Sequence, residues 1–155
     1  MLYACDASTQ SDGFFTKPGE QFPRFQMSDT DGTSFNLEKL QGKPSLILLF
    51  GTRCPPCLQE IRQLSQVIEK DWRKRYNIIV FGSTDDREEL AWFKEKHGYD
   101  FDFIPDGDQY LFHAIAKSNI PRLLLLDNKG IIKSQSYGYT PRKLDHVLTK
   151  MKRLL

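Results

Sequence analysis

Apolar residues along this chain follow two rhythms, and the places where the rhythm changes mark its elements. Leu46-Ile47-Leu48-Leu49-Phe50 is a continuous apolar run, and so is Ile78-Ile79-Val80-Phe81. Short runs without polar alternation predict strands covered on both faces. Behind the first run, Ile61, Leu64, Ile68 and Trp72 recur every three or four residues, which predicts a helix reaching to about Arg75. Leu90, Phe93 and His97 mark one side of a second helix, capped by Thr84 or Asp85 and ended by Gly98. Phe101 to Ile104 predicts a short extra strand, and Tyr110 to Lys117 a short helix. Leu123 to Leu126 and Ile131 to Ser136 predict a hairpin that turns at Asn128-Lys129-Gly130. The last helix is the clearest: Thr140 caps it, Pro141 takes the first helical position, and Leu144, Val147, Leu148 and Met151 share a face.

Ahead of the first apolar run, Pro23 to Met27 and Thr33 to Leu37 alternate on either side of Asp29-Thr30-Asp31-Gly32, the pattern of a β-hairpin. Asn36 caps a short helical turn that Gly42 closes. Residues 1–19 are polar and carry no apolar period, so they read as a flexible tail before a single domain over 20–155. The order is hairpin, β-α-β-α, then β-β-α. That is an α/β domain with a mixed central sheet and helices on both faces.

Composition narrows the function. With 155 residues the chain is long enough for one well-filled core. Its 22 basic and 20 acidic side chains leave a net charge of +2, which gives no reason to expect nucleic acid as a partner. Lys70, Arg73, Lys74 and Arg75 cluster where the first helix is predicted to end, and cations suit that pole of the dipole. No stretch approaches the ~20 apolar residues that span a bilayer. No signal-peptide core is present either, so any export signal is expected to have been removed or never to have existed. His97, His113 and His146 lie far apart in sequence on separate predicted helices, and none is assigned to a site. Trp72 and Trp92 read as packing residues.

The candidate chemistry lies in Phe50-Gly51-Thr52-Arg53-Cys54-Pro55-Pro56-Cys57-Leu58-Gln59-Glu60. A buried strand delivers a C-x-x-C pair to the first turn of a helix, where unpaired N–H groups and the positive end of the dipole favour a thiolate. Pro55 and Pro56 suit that first turn and lack N–H donors, so the Cys57 amide is expected to be the donor that holds Cys54. Cys54 reads as the nucleophile and Cys57 as the resolving thiol. A structural disulfide is the alternative for the pair; a four-cysteine zinc site needs a second pair that the chain lacks.

Taken with the distal Ile120-Pro121 and Asp127-Asn128-Lys129-Gly130, the pair and its flanking elements resemble a thioredoxin fold. More narrowly, the chain resembles the TlpA/ResA-like bacterial thiol-disulfide oxidoreductases, on Lys17-Pro18-Gly19, Phe22-Pro23, Asp31-Gly32, Leu40-Gln41-Gly42-Lys43, Cys-Pro-Pro-Cys and Glu60. The likeness runs from about Pro18 to Leu155 and includes a central α/β insertion over roughly 85–104. It implies Glu60 as a partly buried carboxyl that tunes the pair and moves protons; a solvated first-turn acid that merely suits the helix dipole is the other reading. It implies Pro121 as a cis-proline facing the cysteines, with Ile120 offering backbone groups to a partner strand. Arg53 stands where the family usually carries Trp; a cation there is expected to favour the Cys54 thiolate and to alter the partner-facing surface beside Pro55. The implied activity is reduction of partner-protein disulfides in the bacterial periplasm or cell envelope, by a monomer without cofactor or metal, kept reduced by a membrane electron donor. Leu2-Tyr3-Ala4-Cys5 is similar to the end of a lipobox, which would make Cys5 a lipidated tether; a chance cysteine in a tail is the other reading.

Two related chemistries compete. A Sco-like copper carrier uses C-x-x-x-C with a distal histidine, whereas the spacing here is two residues. A peroxiredoxin places its cysteine in P-x-x-x-T-x-x-C, and Thr52 is out of register for that pattern.

Overall fold

A computed structural model describes residues 12–155. The order of elements follows the hydrophobic pattern. A hairpin of β1 (Gln26–Ser28) and β2 (Ser34–Asn36) is followed by a 3-10 turn over Leu37–Leu40, where the Asn36 side chain accepts the Lys39 N–H. Then come β3 (Ser45–Phe50), α1 (Pro55–Val67), β4 (Asn77–Gly82), α2 (Arg87–His97) and β5 (Asp102–Pro105). The chain ends with α3 (Tyr110–Ile115), β6 (Arg122–Leu126), β7 (Ile132–Tyr137) and α4 (Pro141–Arg153). No helix among the described residues is long and apolar enough to cross a membrane.

The main sheet has the order β5-β4-β3-β6-β7, parallel through β5, β4 and β3 and antiparallel from β3 onward. Because β3 is central, both its faces are covered. Leu46, Leu48 and Phe50 enter one core cluster with Ile61, Leu64, Leu90, Phe93, Leu144 and Val147. Ile47 and Leu49 enter the other with Phe22, Phe25, Leu40, Leu111 and Ile115. Helices α1, α2 and α4 thus cover one face; α3, the 3-10 turn and the N-terminal segment cover the other. Each fully buried Leu, Ile or Phe contributes roughly 1.5–3 kcal/mol.

Four local expectations are corrected. The first helix stops at Val67, because Ile68 is extended (ψ 143°), and a 3-10 turn over Trp72–Lys74 follows. Adjacent β-branched Val67 and Ile68 favour that break. Trp72 still reaches the core, which is why its spacing looks helical. The basic cluster therefore does not close a helix; Arg73 pairs with Asp100 and Asp102, and Arg75 pairs with Asp71. The N-cap of α2 is Asp86, whose side chain accepts the Glu89 N–H, because Asp85 is engaged elsewhere. Trp92 is 62% exposed rather than packed, since it falls off the stripe that Leu90 and Phe93 turn inward.

The packed domain also begins before residue 20. Phe14 is buried at 7% exposure and bridges to Ala116, while Thr16 exchanges hydrogen bonds with Gln135. Only residues 1–11 of the expected tail, Cys5 among them, lie outside the described residues. Truncation to residue 20 is expected to cost roughly 2–4 kcal/mol of stability relative to truncation to residue 12, for the loss of the Phe14 contacts. Urea denaturation of the two forms measures the difference, and equal midpoints would restore the boundary at 20.

Candidate active site

Strand register brings distant segments together at one end of the sheet. β3 and β6 are antiparallel, with Leu49 opposite Arg122, so the exit of β3 lies beside the entry of β6. Cys54, just beyond β3, therefore meets Ile120, which with Pro121 lies just ahead of β6. The Cys54 Sγ is 3.9 Å from the Ile120 carbonyl oxygen, and the Ile120–Pro121 peptide is cis. Glycine at position 51 permits this closeness, because a Cβ there would stand 2.9 Å from Ile120 Cδ1. The parallel neighbour braces the other side. The Ser83 N–H donates to the Phe50 carbonyl at 2.8 Å. Buried Asp85 accepts the Thr52 N–H at 3.1 Å and its hydroxyl at 2.7 Å.

Cys54 is the N-cap of α1, and its Sγ accepts the Cys57 N–H at 3.3 Å. The proline pair has the expected effect: the first available amide is that of Cys57. Cys54 and Cys57 form a disulfide with their Cα atoms 5.2 Å apart. Cys54 is partly exposed and Cys57 is buried, so a partner sulfur meets Cys54 first. Once the bond is reduced, the same amide and the helix pole favour a thiolate on Cys54.

Glu60 follows Cys57 by one helical turn and is 1% exposed. Neither carboxyl oxygen meets a protein donor. Burial pushes its pKa up to about 8, against a smaller downward pull from Lys143 on α4. A carboxyl of this kind is largely neutral at pH 7 and close enough to its pKa to exchange protons.

Arg53 is paired with a carboxylate on another helix. Its side chain is 86% exposed and reaches Glu89 on α2 at 3.0 Å, so a carboxylate and solvent both offset its charge. Pro55 is exposed beside it. A groove of about 590 Å³ leads from Thr52, Arg53 and Leu58 along α2 to Trp92 and Tyr99. His97, His113 and His146 are all exposed. Among the described residues, no group of three or more His, Cys, Asp or Glu is placed to hold a metal ion.

Two contributors escaped the sequence reading. Asp85 left only the signal of an acid after a buried strand, and Lys143 left none.

Comparison with known proteins agrees with this geometry. The family model described as Redoxin matches residues 17–151. The thiol-disulfide oxidoreductase ResA of Halalkalibacterium halodurans is 24% identical over 143 residues, which cover 92% of this chain and 81% of that protein. The thiol:disulfide interchange protein DsbE of Pseudomonas aeruginosa is 27% identical over 131 residues, covering 81% of this chain and 69% of that one. Among solved structures, a Bacteroides thetaiotaomicron protein superposes with a TM-score of 0.82 at 21% identity, covering 92% of each chain. The thioredoxin domain of a Bacteroides vulgatus thiol-disulfide oxidoreductase gives 0.75 at 18% identity, covering 90% of this chain and 99% of that one. These two likenesses establish the thioredoxin-like fold.

The buried carboxyl has a measurable consequence. Between pH 4.5 and about 8 the unfolded chain ionises Glu60 while the folded chain keeps the proton. The folded state then binds more protons, so this group's contribution to stability falls as pH rises, by about 1.4 kcal/mol per unit. Glu60→Gln is expected to remove that slope from urea-unfolding free energies of the oxidised protein. An unchanged slope would mean that Glu60 is ionised in the fold.

Proposed function

The chain belongs to the redoxin family, and from that premise we propose that it is a thiol-disulfide oxidoreductase working through the Cys54–Cys57 couple. The observation that carries this reading is the pair itself: a partly exposed cysteine whose sulfur caps a helix, held by the amide of a buried partner cysteine and lying beside the carbonyl of Ile120, the residue before a cis-proline. The names of the ResA and DsbE relatives support it.

In the reduced protein the Cys54 thiolate attacks one sulfur of a partner disulfide. A Cys54–partner S–S bond forms, the partner's S–S bond breaks, and the departing sulfur leaves as a thiolate that takes up a proton. Cys57 then attacks the Cys54 sulfur, which closes the intramolecular disulfide and frees the second partner thiol. Two electrons pass from the dithiol to the partner. With a pKa of about 8, Glu60 is neutral in most molecules at pH 7, and its minor ionised form takes the Cys57 proton during that attack.

The partner is a disulfide-bearing protein that lies across Arg53, Pro55, Ile120 and Pro121, its extended segment pairing with the backbone at Ile120. The resemblance to extracytoplasmic reductases supports the bacterial periplasm or cell envelope as the place of action. It likewise supports a membrane electron donor that restores the dithiol, a Cys5 tether and a monomeric state.

Equilibration with glutathione or dithiothreitol tests the couple. A reduction potential below about −200 mV is expected for a reductase, whereas one near −120 mV would make the protein a disulfide donor. Cys57→Ser is expected to accumulate a mixed disulfide on Cys54 that Cys54→Ser cannot form. If the wild-type pair does not cycle reversibly, the oxidoreductase reading falls.

A further inference from the structure

Arg122 directly follows the cis-proline, yet it is only 2% exposed and lies in a strand otherwise made of leucine. Its donors go to carbonyl groups. Nε bonds the Asn119 oxygen at 2.8 Å, Nη1 bonds the Asp12 oxygen at 2.8 Å, and Nη2 bonds the Ser118 oxygen. The guanidinium is also covered by two rings, with its Cζ 4.5 Å from the Phe14 centroid and 4.8 Å from that of Tyr137.

Arg122 has no close salt bridge among the described residues, only the more distant charge of Asp12; burying a guanidinium in this way costs several kcal/mol, and an apolar side chain would fill the same strand position at less cost. Only a fork of fixed donors, however, reaches carbonyls on two chain segments at once. One segment is 118–119, the two residues before Ile120, where Asn119 holds a φ of +72° that is uncommon outside glycine. The other is the N-terminal run at 12–14. Two further bonds lay that run along the end of α3: Phe15 N–H to the Ile115 carbonyl at 2.8 Å and Lys117 N–H to the Gly13 carbonyl at 2.9 Å. Arg122 thus clips the N-terminal segment to the loop that carries the cis-proline.

We infer that Arg122 is a positioning residue for partner recognition, clamping residues 12–14 and 118–119 so that Ile120 presents its backbone to an extended disulfide-bearing peptide. This inference rests on the oxidoreductase reading above. Arg122 acts through Ile120, so a small disulfide that needs only the Cys54 sulfur does not depend on the clamp. An extended peptide disulfide does. Phe14 belongs to the same device, because its ring covers the guanidinium.

The test compares two oxidants of the reduced protein: 4,4′-dithiodipyridine and a synthetic extended peptide closed by one internal disulfide. In single-turnover oxidation of reduced Arg122→Met, the half-saturating peptide concentration (the KM of this step) is expected to rise about tenfold, the cost of roughly one charged hydrogen bond, with the limiting rate little changed. The rate with dithiodipyridine stays at the wild-type value. Arg122→Lys keeps the charge without the fork and is expected to resemble Arg122→Met, while Phe14→Leu shifts KM in the same direction by less. Equal losses on both oxidants would reduce Arg122 to a structural role and overturn the inference. So would an unchanged peptide KM, or full recovery in Arg122→Lys. Glutathione equilibration of the wild type separates the two levels: a pair that does not cycle removes the oxidoreductase reading, whereas a cycling pair with an unshifted peptide KM removes only the clamp.

Discussion

The structure depends on β3 being paired on both edges and covered on both faces. Its side chains alternate between two core clusters, so a shift of one residue would exchange every buried contact from one face to the other. That constraint is a packing constraint, but it also sets the chemistry. The register that buries Leu46 and Ile47 is the one that puts Leu49 beside Arg122 and Phe50 beside Gly82. Everything attached to the exit of β3 then has its neighbours decided. Ile120 approaches from one side and Asp85 from the other, and Ile120 packs partly against both clusters. The site needs no separate scaffold, because it occupies the exit of the most fully buried strand.

Two buried ionisable groups near that end are accommodated in opposite ways. A carboxyl can abandon its charge, and Glu60, with no donor in reach, has its pKa pushed up by burial. A guanidinium has no such option, so Arg122 is surrounded by carbonyl oxygens and aromatic faces. Asp106 is a third case. It is raised by burial and pulled back by the Leu111 and Phe112 amides, and so serves as an anchor for α3. The unsatisfied group is the one free to exchange protons. The satisfied ones hold chain segments in place.

The sequence made the strands and the ends of the helices legible wherever local chemistry settles them. Continuous apolar runs marked β3 and β4, and Thr140-Pro141 marked the start of α4, because these signals act within a few residues. Cys54, Cys57 and the amide contact between them were legible for the same reason. What failed depends on the far side of a contact. Thr84 and Asp85 are the caps expected of α2, but Asp86 fills that place, because Asp85 is engaged by Thr52, a contact invisible in one dimension. Residues 12–16 carry no period, since they form isolated contacts with Ala116 and Gln135 rather than an element. Trp92 was misread because helical spacing identifies the inward stripe but does not show that a large aromatic off that stripe stays uncovered.

Arg53 shows why magnitude has to decide between effects at such a site. A cation next to Cys54 in sequence invites an electrostatic explanation of its reactivity. Exposed ion pairs contribute about 0–1 kcal/mol, and the one Arg53 makes is with Glu89 on another helix, not with sulfur. The helix pole acting on a partly buried N-cap sulfur is worth up to ~2 kcal/mol. The Cys57 amide adds a charge-assisted hydrogen bond directed at the same atom. These latter terms are fixed by the backbone of α1 and persist whatever residue precedes the pair. Thiolate stabilisation therefore belongs to the Cys-Pro-Pro-Cys turn itself. Position 53 belongs instead to the exposed surface that it shares with Glu89 and Trp92.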